Sequence, residues 1–352
     1  MRKELGMLKQ EYWIGFGFRV MAIVLALVFT LLVLLVAGAP PLDVFYQVVV
    51  GSVGSVRKFA DVIVASLPLL LATAGLLITF SAGLWNIGIE GQITIGAIFA
   101  TGALRLLQDS PLPPMMIISS SILAGALGGA LWAALAGALK TFGGVNEIFG
   151  GLGLNFVATA ITIWLIFGPW KRPGVGSMSG TEPFPESLWL PQLPDLRLSI
   201  WSLLLAIAGI ALVYLLLQGT YLGLKLKATG KNRRAAFVLG IPTSEYMMTA
   251  FLMCGALAGV AGAIQVTGVY HRLIPAISSG YGFLGLMVAM LINYQALWAA
   301  PISLFFAALI IGSIQLPIVL KLDSSLSGVL QGALVLSVLI MDGVRRRWLN
   351  KS

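Results

Sequence analysis

The chain has 352 residues, 59% hydrophobic and only 10% charged, with a net charge of +9 and a mean hydropathy of +0.97. Soluble domains carry about 25% charged residues, so this composition belongs to a polytopic membrane protein. A single cysteine, Cys254, and a single histidine, His271, exclude an internal disulfide framework, a cysteine-based metal site within one chain and a multi-histidine site.

A membrane span takes about 20 apolar residues. Runs of that order occupy 18–38, 60–82, 91–107, 114–139, 152–169, 198–217, 246–269, 281–293, 296–317 and 324–341. The first follows Arg2, Lys3 and Lys9 and ends at the small residues Ala37-Gly38-Ala39. It is longer than the ~7–15 residues of a signal-peptide core, and Pro40-Pro41 follow at once. It therefore reads as an uncleaved span. The expected fold is all-α and polytopic, a single transmembrane domain of about ten helices.

Basic residues orient the spans, because short cytoplasmic loops are enriched in Lys and Arg. The N-terminus, the 218–245 loop (Lys225, Lys227, Lys231, Arg233, Arg234) and the tail (Arg345, Arg346, Arg347, Lys351) are expected in the cytoplasm. Ten, an even number, returns both termini to that side. The 170–197 loop then lies outside, balancing Lys171, Arg172 and Arg197 with Glu182, Glu186 and Asp195. This accounts for the +9 charge without nucleic acid.

Ten spans divide at 170–197 into halves of five, about 18–169 and 198–341. Since five is odd, similar halves would be inverted. "GLWNIGIEGQ" joins the second and third spans, and "ISSGYGFLG" joins the seventh and eighth. Both are Gly-rich and polar, hold matching places, and are expected on opposite sides of the membrane. Interrupted segments at corresponding positions point to a transport pathway.

Within the first junction, Glu90 costs a few kcal/mol at a span boundary unless it faces protein or water. Gly83, Gly88 and Gly91 permit tight turns and close helix approach. Asn86, Glu90 and Gln92 can satisfy exposed backbone groups or meet a solute. A solvated acid, a braced helix break and a solute contact all remain open. In "GGVNEIFGGLGLN" (143–155), Asn146 and Glu147 suit a helix N-terminus, and Asn155 faces protein or pathway one or two turns deeper.

The basic stretch "LKATGKNRRAAFVLGIPTSEY" (226–246) suggests a short helix through Ala235, Ala236, Val238 and Leu239. Gly240 would cap it, Pro242 follows, and Thr243-Ser244-Glu245 would start the seventh span. Such a helix suits docking to another protein; an ordinary positive-inside loop is the other reading. "AGALGGALWAALAGALK" and "CGALAGVAGA" are expected to be helix-packing surfaces, Trp and Tyr at span ends interface anchors, and His271 with Arg272 structural. The sequence has no phosphate-binding G-x-x-x-x-G-K-[ST] loop, so the chain is not by itself a P-loop ATPase. Glu90 is the only acid near a span's polar interior, which leaves little for a proton relay.

"FSAGLWNIGIEGQITIGAIFATGAL" resembles the signature of permease subunits in bacterial ABC importers of the branched-chain amino acid and simple-sugar type. "GVNEIFGGLGLN", "GKNRRAAFVLGI" and "GYGFLGLMVAML" are similar to further family segments, in the same order, over about residues 60–320. The chain looks most like the longer of two permeases in nucleoside importers of the basic-membrane-protein class. It departs from the family's usual Asn-Glu-Ile segment at Gly150, Gly151 and Gly153.

The resemblance implies a transport subunit without enzymatic activity or cofactor, in a bacterial inner membrane. Its partners would be a shorter paralogous permease, a cytoplasmic ABC ATPase that binds ATP and Mg, and an extracytoplasmic binding protein. Gly230, Asn232, Ala235, Ala236, Gly240 and Ile241 would belong to the ATPase-docking helix. Trp85, Asn86, Glu90, Gln92 and Asn155 would sit at the structured break near the pathway. The scarcity of buried charge suits a neutral solute such as a nucleoside. Sugar or branched-chain amino acid transport, or an ion-coupled carrier using Glu90, are the alternatives.

Overall fold

In a computed structural model of the chain, the described residues are 31–36, 38–174, 179–292 and 294–322, with scattered positions at 21–29 and 328–344. They are helical, in turns or in irregular segments, with no strand among them. The helices are α1 (Pro41–Val53), α2 (Val56–Ser81), α3 (Ile89–Leu107), α4 (Pro114–Thr141), α5 (Glu147–Phe167) and α6 (Ile200–Gly219). They continue with α7 (Tyr221–Lys231), α8 (Arg233–Val238), α9 (Thr243–Ile264), α10 (Tyr281–Leu291), α11 (Ala299–Ser313) and α12 (Gln315–Val319).

Among the described residues, 6 helical segments are long and apolar enough to cross a membrane: α2, α4, α5, α6, α9 with its extension to Tyr270, and Ala296–Val319. The chain is a multi-span helical protein. α3 is not among the six; its first and last turns carry Glu90 and Arg105. Apart from Gly38, which lies in a turn, the described positions of the expected first and tenth spans are helical. The basic residues Arg2, Lys3, Lys9, Arg345, Arg346, Arg347 and Lys351 lie outside the described residues. Two helices are additional to the expected spans. α1 starts on Pro41, whose fixed φ suits the first helical position, and α7 occupies the front of the basic loop.

The described chain divides into two compact units, residues 1–59 with 308–352, and residues 60–307. In the first, Val44 and Val48 of α1 form an apolar cluster with Leu34, Ala39 and Leu316.

In the second unit, α3, α4 and α9 form the central packing, with α5 against α3 and α4. Small residues set how closely they approach. A Cβ on Gly125 would meet the Gly259 carbonyl oxygen at 3.0 Å and that of Gly96 at 3.1 Å. One on Gly129 would lie 2.7 Å from Gly259 Cα. The small-residue stripes are thus the seams of three crossing helices. α2 is enclosed by protein, with 89% of its apolar window buried against 33% for α4, α5 and α6.

α9 runs on into a π-helical stretch, Gln265–Tyr270. Wider winding shifts backbone carbonyls out of register, and the 179–197 segment takes them up. Leu190 N donates to Thr267 O (2.9 Å) and Gln192 Nε2 to Gly268 O (3.2 Å). Phe184 N donates to His271 O and Thr181 N to Leu273 O, both 2.9 Å. The Trp189 ring stacks on His271 at 3.7 Å. What reads in sequence as a loop is an ordered cover.

Candidate functional site

α2 ends because Gly83 takes a left-handed conformation (φ +73) that side chains resist. Leu84 N donates to Thr79 O and Gly83 N to Phe80 O, both 2.9 Å, the paired bonds of a Schellman closure. The chain runs extended through Leu84-Trp85-Asn86 and re-enters helix at Ile89.

A new helix start leaves amides without intrahelical partners, and buried ones must be paired. Asn155 of α5 does this from across the structure. Its Oδ1 accepts from Gly91 N (2.8 Å), and its Nδ2 donates to Ile87 O (3.0 Å). Asn86 and Gln92 form a reciprocal amide pair at 3.0 and 2.9 Å, and Asn86 Nδ2 also donates to Cys254 Sγ (3.1 Å). All three side chains are buried. Gly88 lies against Gly151, where a Cβ would be 3.2 Å from Gly151 Cα, whereas nothing lies within 4 Å of a Cβ on Gly153. Of those two unusual glycines, only Gly151 is required by close contact.

Glu90 reaches the second break. Its Oε1 accepts from Ser278 Oγ (2.6 Å) and Gly280 N (3.0 Å), and its Oε2 from Gly282 N (2.8 Å). The carboxylate thereby caps the N-terminus of α10, where exposed amides and the helix dipole favour an anion. The expectation that the two junctions lie on opposite sides of the membrane is corrected by these bonds. Groups within 3 Å of each other are not separated by a hydrocarbon core of about 30 Å. The two junctions meet at one place in the fold. The sequence marks each as irregular, but Ser278, Gly280 and Gly282 carry no sign that they grip an acid from the other half.

Trp85 stands apart from this network. It is 39% exposed and meets Phe80 edge-on at 5.3 Å; Phe80 in turn contacts Tyr294 at 5.0 Å.

The basic segment folds as two helices. Gly230, near the end of α7, presses on the end of α2, where a Cβ would be 2.8 Å from Gly83 N. Asn232 Oδ1 accepts from Ala235 N (3.0 Å), so Asn232 caps α8. The helix closes with Ile241 N donating to Ala236 O (3.0 Å) and Gly240 N to Phe237 O (2.9 Å). Gly240 has φ +80 with nothing within 4 Å of a Cβ. Ala236 is buried and Ala235 exposed, while Phe237, Val238 and Leu239 are 68%, 83% and 79% exposed. Beside α5, Asn146 Oδ1 accepts from Ile148 N (2.9 Å), and Glu147 pairs with Lys140.

A protein-family model, branched-chain amino acid transport system / permease component, matches residues 59–339. The chain belongs to this permease family. The permease is similar to the glucose ABC transporter permease protein TsgB13 of Haloferax volcanii, 28% identical over 344 residues, 95% of this chain and 90% of the relative. Two nucleoside ABC transporter permease proteins of Lactococcus lactis also match. NupB is 24% identical over 84% of this chain and 81% of the relative, and NupC 28% identical over 76% and 86%.

Proposed function

We propose that this permease is the transport subunit of an ATP-driven importer of nucleosides or related neutral solutes. It works with a second permease, a cytoplasmic ATPase and an extracytoplasmic binding protein. Ten spans in two inverted halves, 18–169 and 198–341, with both termini cytoplasmic, remain the topology we favour. A pair of broken helices at matching places supports it.

The observation that carries the reading is a line of contacts from a docking surface to the breaks. Phe237, Val238 and Leu239 offer an apolar face on α8. Asn232 ties α8 to α7, Gly230 bears on the end of α2, and the break beyond it is braced by Asn86, Gln92 and Asn155. Glu90 then holds α10. Closure of the ATPase would move α7 and α8 as one body and shift the joined breaks together.

Glu90 acts here as a brace. Three donors of this chain occupy its oxygens, which speaks against its use as an ion-coupling acid. The match of both NupB and NupC supports pairing with a second permease. A sugar is the second reading, favoured by likeness to the Haloferax glucose permease along 95% of this chain; nucleosides and sugars share a polyhydroxylated ring.

Purification with the products of neighbouring genes tests the assembly, and the expected result is a co-purifying ATPase. Uptake should stop when ATP is depleted and persist when ion gradients are collapsed; the reverse pattern would overturn the reading. Thermal shifts of the associated binding protein with guanosine, uridine, glucose and leucine decide the solute.

A further inference from the structure

A cavity of about 610 Å³ lies beside the coupling segment, and the transport reading makes no use of it. It is walled by Phe80 and Ser81 at the end of α2, Tyr214 and Gln218 at the end of α6, Lys227 and Lys231 on α7, and the 294–297 turn. α6 is long and apolar enough to cross the bilayer, and a helix that does so brings its last turn to headgroup depth.

The lining is amphipathic. Phe80, Leu217 and Leu297 supply apolar surface, Lys227 and Lys231 supply two cations, and none of the described lining residues is acidic. Lys227 is held in place, its Nζ donating to Leu217 O at 2.6 Å. An ammonium has three donors, so two remain for a ligand. Tyr214 and Tyr294 line the cavity at 43% and 42% exposure, their hydroxyls adding neutral donors. Basic pockets between membrane helices suit phosphate-bearing headgroups.

We propose that this cavity binds a phosphate anion presented by an anionic lipid headgroup, held by Lys227 and Lys231 between α6 and α7. Ser81 and Gly230, which line it, also make the close approach between the coupling segment and α2. A bound headgroup therefore stiffens that contact.

The test is native mass spectrometry of the delipidated permease, purified with its associated subunits. Phosphatidylglycerol, phosphatidylcholine and inorganic phosphate are the probes. Phosphatidylglycerol should be retained over phosphatidylcholine by about fivefold for each lysine engaged. Lys231→Gln, at an exposed site, should lose about fivefold of that preference. Ala296→Trp fills the cavity while keeping every charge, and should abolish the preference. Arg234→Gln removes an exposed cation away from the cavity and should leave it intact.

Equal retention of the two lipids would overturn the proposal. So would an unchanged preference in Ala296→Trp, verified as folded by its thermal transition. A loss in Arg234→Gln matching that in Lys231→Gln would reduce the effect to diffuse charge and equally overturn it. Complete displacement of lipid by inorganic phosphate at millimolar concentration would reject the lipid source in favour of a soluble phosphate compound.

Discussion

The Gly282 amide donates to the Glu90 carboxylate at 2.8 Å across 192 positions of sequence. One bond thus ties the start of α10 to the first turn of α3, and two interrupted helices become a single structural unit. A carboxylate taken up by Ser278, Gly280 and Gly282 is a structural anion, and its removal should be felt first in stability.

Glu90→Gln keeps one oxygen but turns an NH2 toward a donor. An unsatisfied buried group costs about 1–3 kcal/mol, so the melting temperature should fall and folded yield drop. The KM of the protein that does fold should be unchanged. A raised KM at unaltered melting temperature would make Glu90 a solute contact.

Asn155→Ala strips the partners from Gly91 N and Ile87 O together. The expected loss is about 1–3 kcal/mol for each orphaned group, with faster amide exchange at residues 87–91. Exchange there at the wild-type rate would show that Asn155 is dispensable to the break.

Much of this fold was legible because lipid imposes a simple rule: long apolar runs become helices. α8 and its closure at Gly240 could be read from local capping chemistry. The pairing of Glu90 with Ser278, Gly280 and Gly282 could not, since long-range contacts leave no local periodicity. The cover formed by 179–197 was hidden for a different reason. Its order comes from carbonyls of the π-helical stretch that follows α9 and of the turn after it, and that winding has no plain residue signature. α7 was missed because Lys225, Lys227 and Lys231 make its sequence read as an orientation loop.

Two glycines separate packing from mere flexibility. Gly129→Ala would place a methyl 2.7 Å from Gly259 Cα, an overpacking expected to cost about 1–3 kcal/mol. Gly153→Ala has open space and should be neutral or stabilising by up to about 1 kcal/mol. Melting temperatures of the two variants in one detergent should differ in that order; equal values would remove the seam from its assigned role.

Phe237→Asp changes only an exposed face of α8. It should preserve the fold but abolish co-purification of the ATPase. Gly240→Arg imposes a side chain on a residue at φ +80, a strain of about 1–2 kcal/mol. It should separate ATP hydrolysis from uptake while the protein still inserts, and normal ATP-driven uptake in this variant would count against docking.

Burial lowers the pKa of His271, only partly opposed by its bond to the Thr267 carbonyl. Folding therefore favours the neutral ring over the charged one. Stability of the 179–197 cover should be complete above the ordinary histidine value of about 6.5, decline as pH falls below it, and level off beneath the lowered folded value. Hydrogen exchange of residues 181–192 at pH 7.5 and 5.5 measures this, with His271→Gln expected to abolish the difference.

Completion of each helix start by a distant side chain has a consequence for biogenesis. Asn155 follows Gly91 by 64 positions, so α3 enters the translocation machinery before its cap has been synthesised. Glu90 waits far longer, 190 positions, for Gly280. Until then it is an uncompensated acid within a nascent membrane protein. A chain that stops before Ser278 lacks all three donors to that acid, while the complete chain supplies them.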